Sequence, residues 1–112
     1  MELSVNGIGA VVVTMKTTDA ALGDLVMMDG HFQVKKATAE AEPIGICVSR
    51  NGDYAGIQVK GGVEMTCTDE TLTPGYQMLK ATSENGVAKG TAGALHLVVS
   101  VDTGAKTAFV VL

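Results

Sequence analysis

Apolar residues in this chain come in short runs, many of them β-branched, and nearly every run stops at a glycine, an Asn-Gly, an Asp-Gly or a Pro-Gly pair. Such a pattern predicts strands and turns, because β-branched side chains fit a pleated, half-buried surface and these dipeptides accept the positive φ of a tight turn. A first strand is expected over residues 9–16. Residues 17–23 then connect, with room for one helical turn from Asp19 that Gly23 ends. Strands over 24–28 and 31–35 follow, joined by Asp29-Gly30 in a two-residue type I′ turn. Residues 36–42 have the highest local helix propensity, but Pro43 limits them to two turns of helix or an irregular loop. The next strand pair is expected at 44–50 and 54–60 about Asn51-Gly52-Asp53, followed by a bend at Gly61-Gly62 and an alternating strand over 63–67.

The second half repeats this grammar. Pro74-Gly75 forms a turn, a strand covers 76–81, Asn85-Gly86 turns the chain, and a short strand covers 87–89. Two longer strands, 95–102 and 106–112, close the chain about Thr103-Gly104. Gly23 then matches Gly75, Val34 matches Val87, residues 46–49 match 97–100, and 57–59 match 109–111, at offsets of 51 to 53. The expected architecture is all-β: one small β-barrel or β-clip-like domain over 1–112, with at most one or two short helical turns. Its parts are an N-terminal arm at 1–9, repeat one at about 10–67 and repeat two at about 72–112. The apolar end at Phe109 to Leu112 is expected in the sheet's own core or against a neighbour.

Composition sharpens this picture. The chain has 112 residues, 46% hydrophobic yet only 4% aromatic and without Trp, so the core must be built from Val, Leu, Ile, Met and Ala. A positive mean hydropathy without a membrane-length apolar run implies apolar surface that a partner subunit covers. An oligomer is therefore expected. Net charge is −4, with no basic stripe, which argues against nucleic-acid binding. The run from Ile8 to Val13 is too short to span a membrane and lacks a positive flank, so neither an anchor nor a signal peptide is expected. Cytoplasmic synthesis follows.

Chemistry is sparse. Cys47, inside an apolar strand, is expected to be a buried hydrophobe, and Cys67, between two threonines, a free and partly exposed thiol, with a pairing of the two left open by the sequence. His31 lies beside a turn and His96 is placed on the wetter face of its strand, neither with a ligand at metal spacing. Ser4, Ser49, Ser83 and Ser100 lack a nucleophile-elbow context. Glu40 and Glu42 have no partner acid, and Gly7-Ile8-Gly9 and Gly61-Gly62 are followed by strands rather than the helix that a phosphate loop needs. The methionines are expected as core filler. No catalytic, cofactor-binding or metal residues are assigned. The residues singled out are structural turns: Gly23, Asp24, Asp29, Gly30, Asn51, Gly52, Gly61, Gly62, Pro74, Gly75, Asn85 and Gly86.

Three elements carry a resemblance: Gly23-Asp24-Leu25-Val26, Ile44-Gly45-Ile46-Cys47, and Ile57-Gln58-Val59 through Gly62-Val63, echoed in degenerate form by the second half. In these the chain resembles the small phage and prophage capsid decoration, or head cement, proteins, with their GD-x-V and IGVA-type repeats. The likeness covers about 11–112, and departs from the pattern at Pro74-Gly75-Tyr76 and Leu95-His96-Leu97. It implies a non-catalytic virion protein that trimerises on the outer surface of an icosahedral head and clamps the major capsid protein, with residues 1–9 completing the contact. A second reading is a barrel-sandwich carrier or binding module similar to biotinyl and lipoyl domains, which would need Lys16 at a hairpin tip. A small hydrolase or metal enzyme using His31, His96 and Cys67 is a third.

Overall fold

Strand pairing divides the chain at Gly61. The computed structural model describes residues 10–112, so the arm at 1–9, the Gly7-Ile8-Gly9 bend and the first residue of the expected 9–16 strand lie outside the described residues. Ten strands and no helix make up the rest: β1 (Val11–Lys16), β2 (Leu25–Met28), β3 (Val34–Lys36), β4 (Gly45–Asn51), β5 (Tyr54–Lys60), β6 (Gly62–Thr66), β7 (Gly75–Ala81), β8 (Val87–Lys89), β9 (Leu95–Asp102) and β10 (Thr107–Val111). They form two five-stranded antiparallel sheets, ordered β1-β5-β4-β2-β3 and β6-β10-β9-β7-β8. These are the same order, strand for strand. The duplication seen in the sequence is a duplication of a whole sheet. The strand at 63–67, grouped with repeat one on sequence alone, is instead the first strand of the second sheet, paired with β10. The bend at Gly61 (φ 103) and Gly62 is thus the junction between repeats.

Register shows how close the two copies are. Met15 lies opposite Ala55 and Met65 opposite Ala108; all four are buried. In the hairpin β4–β5 the ladder skips Val48, between Cys47↔Ile57 and Ser49↔Gly56. In β9–β10 it skips Val99, between Val98↔Val110 and Ser100↔Phe109. A β-bulge therefore sits at the same place in each sheet, and it corrects the match between 57–59 and 109–111 by one residue. Ile57 corresponds to Val110, both wholly buried, while Phe109 is only half-buried. With a side-chain period of two, the one-residue slip would have turned the wrong face inward.

Each β2–β3 or β7–β8 connection is a five-residue loop, where Met28 pairs with Val34 and Ala81 with Val87. Asp29 N donates to Gln33 O, and Thr82 N to Gly86 O. This corrects the two-residue Asp29-Gly30 turn, and shifts the strand expected at 31–35 to Val34–Lys36. In the first loop Lys16 N donates to Phe32 O at 2.8 Å and Lys16 bridges Gln33, tying edge strand β1 to the other edge of its sheet at one point. Asn51 and Tyr54 pair across a short Gly52-Asp53 turn, with Gly52 at φ 61.

Residues 37–44 form no helix. Tertiary contact overrides propensity there: Glu40 N donates to Ala81 O, and Ala81 N to Ala41 O, so the linker lies against the second sheet. The short turn expected from Asp19 is not helical either, and its Asp19 Oδ1 accepts from Lys36 N. Two apolar clusters result. One contains Met15, Val26, Val34, Cys47 and Ile57 of the first repeat. The other contains Val63, Met65, Leu79, Val87, Val98 and Val110 of the second, together with Leu25 from the first. Val110 places the apolar C-terminal strand in its own sheet's core, with Leu112 packed against it.

Candidate functional site

The turn residues do structural work. Gly23 (φ 86), Gly30 (φ 122), Gly52 (φ 61) and Gly75 (φ 121) hold left-handed backbone that side chains disfavour. Gly86 has an ordinary φ, but a Cβ there would run into the Thr66 carbonyl. Asp24 Oδ2 accepts from Ala21 N at 3.0 Å, a local turn bond. Pro74 precedes β7 and is exposed.

Asn85 does more than turn the chain. At φ 58, it directs its side chain into the first repeat: Leu25 N donates to Asn85 Oδ1 at 3.0 Å, and Asn85 Nδ2 donates to Asp24 Oδ1 at 3.2 Å and to Gly23 O at 3.4 Å. Lys80 Nζ meets Glu40 Oε2 at 2.7 Å, and Ala94 N donates to Glu42 Oε1 at 2.8 Å. Glu40 and Glu42 are thus used in joining the two sheets.

Both cysteines are free and buried. Cys67 is 3% exposed, correcting the expected half-open thiol, because it begins the segment after β6 and faces the second cluster. Burial pushes both thiols up from their ordinary values, outweighing the bonds to Ser49 O and Asp69 O, so neither is activated. His96 is half-buried and burial lowers its pKa, while its neighbour Leu95 is the exposed one; the expected facing of that strand is reversed. Among the described residues no group of three or more His, Cys, Asp or Glu could hold a metal ion. Met15 and Met65 fill the core as expected, but Met28 is 44% exposed.

What the surface offers instead is apolar. Phe32 and Tyr76 stand 74% and 69% exposed, with Leu22 and Leu95 also open. A groove of about 320 Å³ is lined by Val13, Met15, Met28, Gly30, His31 and Phe32. Phe32 holds φ 53, uncommon for an aromatic residue and left-handed like Asn85 at the same place in the other loop. Sequence reasoning passed over both aromatics as strand residues. The signal for one of them was there: in a repeat whose core positions match, Phe32 stands where the other copy has Asn85. Comparison with protein-family models, with curated proteins and with solved structures gives no match.

Proposed function

We propose that this protein is a structural, non-catalytic head-decoration protein. It binds as an oligomer, a trimer in the reading favoured here, to the outer surface of the major capsid protein of an icosahedral phage or prophage head. The observation that carries the proposal is a duplicated all-β unit that leaves aromatic and aliphatic side chains open on its surface, the mark of a chain built to be covered by neighbours. The sequence elements of the resemblance fall on structural essentials: Gly23-Asp24 is held by Asn85, and Gly45 packs against β5 so closely that a Cβ would strike the Gln58 carbonyl. An acidic chain suits a surface that faces away from packaged DNA.

The carrier reading needs a modifiable lysine presented at a hairpin tip. Lys16 instead ends β1, paired to Tyr54 and bonded to the Phe32 carbonyl, which favours the decoration reading. Size-exclusion chromatography with light scattering, alone and with expanded heads, tests the proposal. A defined oligomer that co-elutes with heads is expected; a strict monomer that ignores them overturns it. Intact mass from a native source tests the carrier reading, which predicts an adduct on Lys16.

A further inference from the structure

Each sheet has two edge strands, and three of the four edges are guarded. On β3, Lys36 N donates to Asp19 Oδ1 at 3.1 Å, and on β8, Lys89 N donates to Asp69 Oδ2 at 3.0 Å; the two lysines hold matching places in the register. Edge strand β6 shares its apolar cluster with Leu25 of the other repeat, and its Thr66 carbonyl lies against Gly86. The fourth edge is β1, which pairs only with β5. Among the described residues its bonded neighbours on the other side are Phe32 and Gln33, both at Lys16. Lys16 N points outward to Phe32 O and Thr17 N inward to Asp53 O, so alternation turns the N–H and C=O of Val12 and Thr14 outward as well. An edge that reads Val-Val-Val-Thr-Met, with neither proline nor charge before Lys16, is a template for a further strand. Beside it lies the groove that Val13, Met15, Met28 and Phe32 line.

The sequence leading into β1 has the pattern that such an edge requires. Met1, Leu3 and Val5 are apolar while Glu2, Ser4 and Asn6 are polar, the period of a strand with one covered face. Gly7-Ile8-Gly9 follows, and a three-residue hairpin loop is a type I turn closed by a left-handed residue, a place that suits Gly9. We infer that residues 1–6 fold back along the free edge of β1 and add a strand to the five of the first sheet, with Met1 and Leu3 in the groove. A loop of three sets the register: Val5 faces Val11, Leu3 faces Val13 and Met1 faces Met15. Apolar residues then meet apolar ones on the groove side, while Asn6, Ser4 and Glu2 meet the exposed Ala10, Val12 and Thr14 on the wet side. The outward amides of Val12 and Thr14 fall in the pairs that exchange both hydrogen bonds, with Ser4 and with Glu2. A two-residue loop at Asn6-Gly7 would instead turn Met1 and Leu3 to the wet side, away from the groove. This inference does not rest on the capsid reading: it makes the arm a part of the sheet, which any outside partner of that edge has to displace.

The test uses the full-length chain without capsids, so that its failure is separate from a failure to bind heads. Leu3→Cys combined with Val13→Cys is expected to close a disulfide within one chain under mild oxidation, at monomer mass. Ser4→Cys combined with Val13→Cys, one residue out of register, is expected to stay reduced; the native thiols are buried and stay out of the reaction. Hydrogen exchange read residue by residue should find the Val12 and Thr14 amides protected in the wild type and about tenfold less protected in Leu3→Asp. The Val13 and Met15 amides, which face β5, should be equally protected in both and show that the variant is folded. Val12 and Thr14 exchanging as fast in the wild type as in Leu3→Asp, equal cross-linking of the two cysteine pairs, or a disulfide that joins two chains instead of closing within one overturns the inference.

Discussion

Asn85 and Asp24, 61 positions apart, meet through a 3.2 Å hydrogen bond from the amide Nδ2 to the carboxylate Oδ1, and this contact joins the two repeats. Asn85 also accepts from Leu25 N and sits at φ 58. Replacing it by alanine removes the bonds and leaves a Cβ residue in left-handed backbone, at an expected cost of about 2–3 kcal/mol. Asn85→Gly keeps the backbone at ease and loses only the bonds, so it should cost about 1 kcal/mol less. Urea denaturation should rank wild type above Asn85→Gly and Asn85→Ala lowest; equal stabilities for the three would show that the joint contributes nothing.

The matched cores make a sharper prediction at Cys47. Val98 fills the corresponding position in the second sheet, each opposite its buried partner, Ile57 or Val110. Cys47→Val should therefore shift stability by only about 1 kcal/mol, whereas Cys47→Asp, an unpaired buried charge, should cost about 3 kcal/mol or more. Thiol reagents should leave Cys47 and Cys67 unmodified in the native state and react with both once denaturant unfolds the chain.

Glycines divide into two kinds that mutation should separate. Gly45 and Gly86 have no room, since a Cβ would meet the carbonyls of Gln58 and Thr66. Gly23 has open space but left-handed backbone. Alanine at either crowded position should cost about 3 kcal/mol or more, and at Gly23 about 1 kcal/mol. Thermal melts of the three variants check the order, and a melt in which Gly23→Ala is the worst would contradict it.

Two groups contribute to the acid limb of stability. The Thr71 hydroxyl, the Lys89 amide and the Thr71 amide hold the Asp69 carboxyl below its usual range. A depressed acid means that the unfolded chain binds the proton first, so this stabilisation is complete above about pH 3.9 and is lost as pH falls through the lower folded value. Burial likewise lowers His96, whose contribution is complete above about pH 6.5 and is lost as pH falls through its lower folded value. Denaturation midpoints against pH should flatten below pH 4 in Asp69→Asn, and flatten in the step that begins near pH 6.5 in His96→Gln. Unchanged profiles would remove both assignments.

Much of this fold was legible in the sequence because glycine and Asn/Asp punctuation is local. The strand expected at 95–102 appears as Leu95–Asp102, and that at 54–60 as Tyr54–Lys60. What failed was whatever depends on a distant partner. The Asp29-Gly30 pair lies in a five-residue loop whose ends are set by the Met28–Val34 pairing and whose Phe32 carbonyl bonds to β1, and residues 36–42 did not coil because Ala81 claims the linker backbone. The exposure of Phe32 and Tyr76 went unforeseen for the same reason.

Leu25 also sets an order in time. The first sheet has all its strands once residue 60 is made, because β5 is the last to join and pairs with β1. Yet Leu25, with Ala37 and Ile46, packs against residues from the second half, as far along as Val110. A nascent chain holding only the first repeat would carry a finished hydrogen-bond ladder and an uncovered apolar plug. Domains commonly complete in the order they leave the ribosome; here the first half has reason to wait for the second.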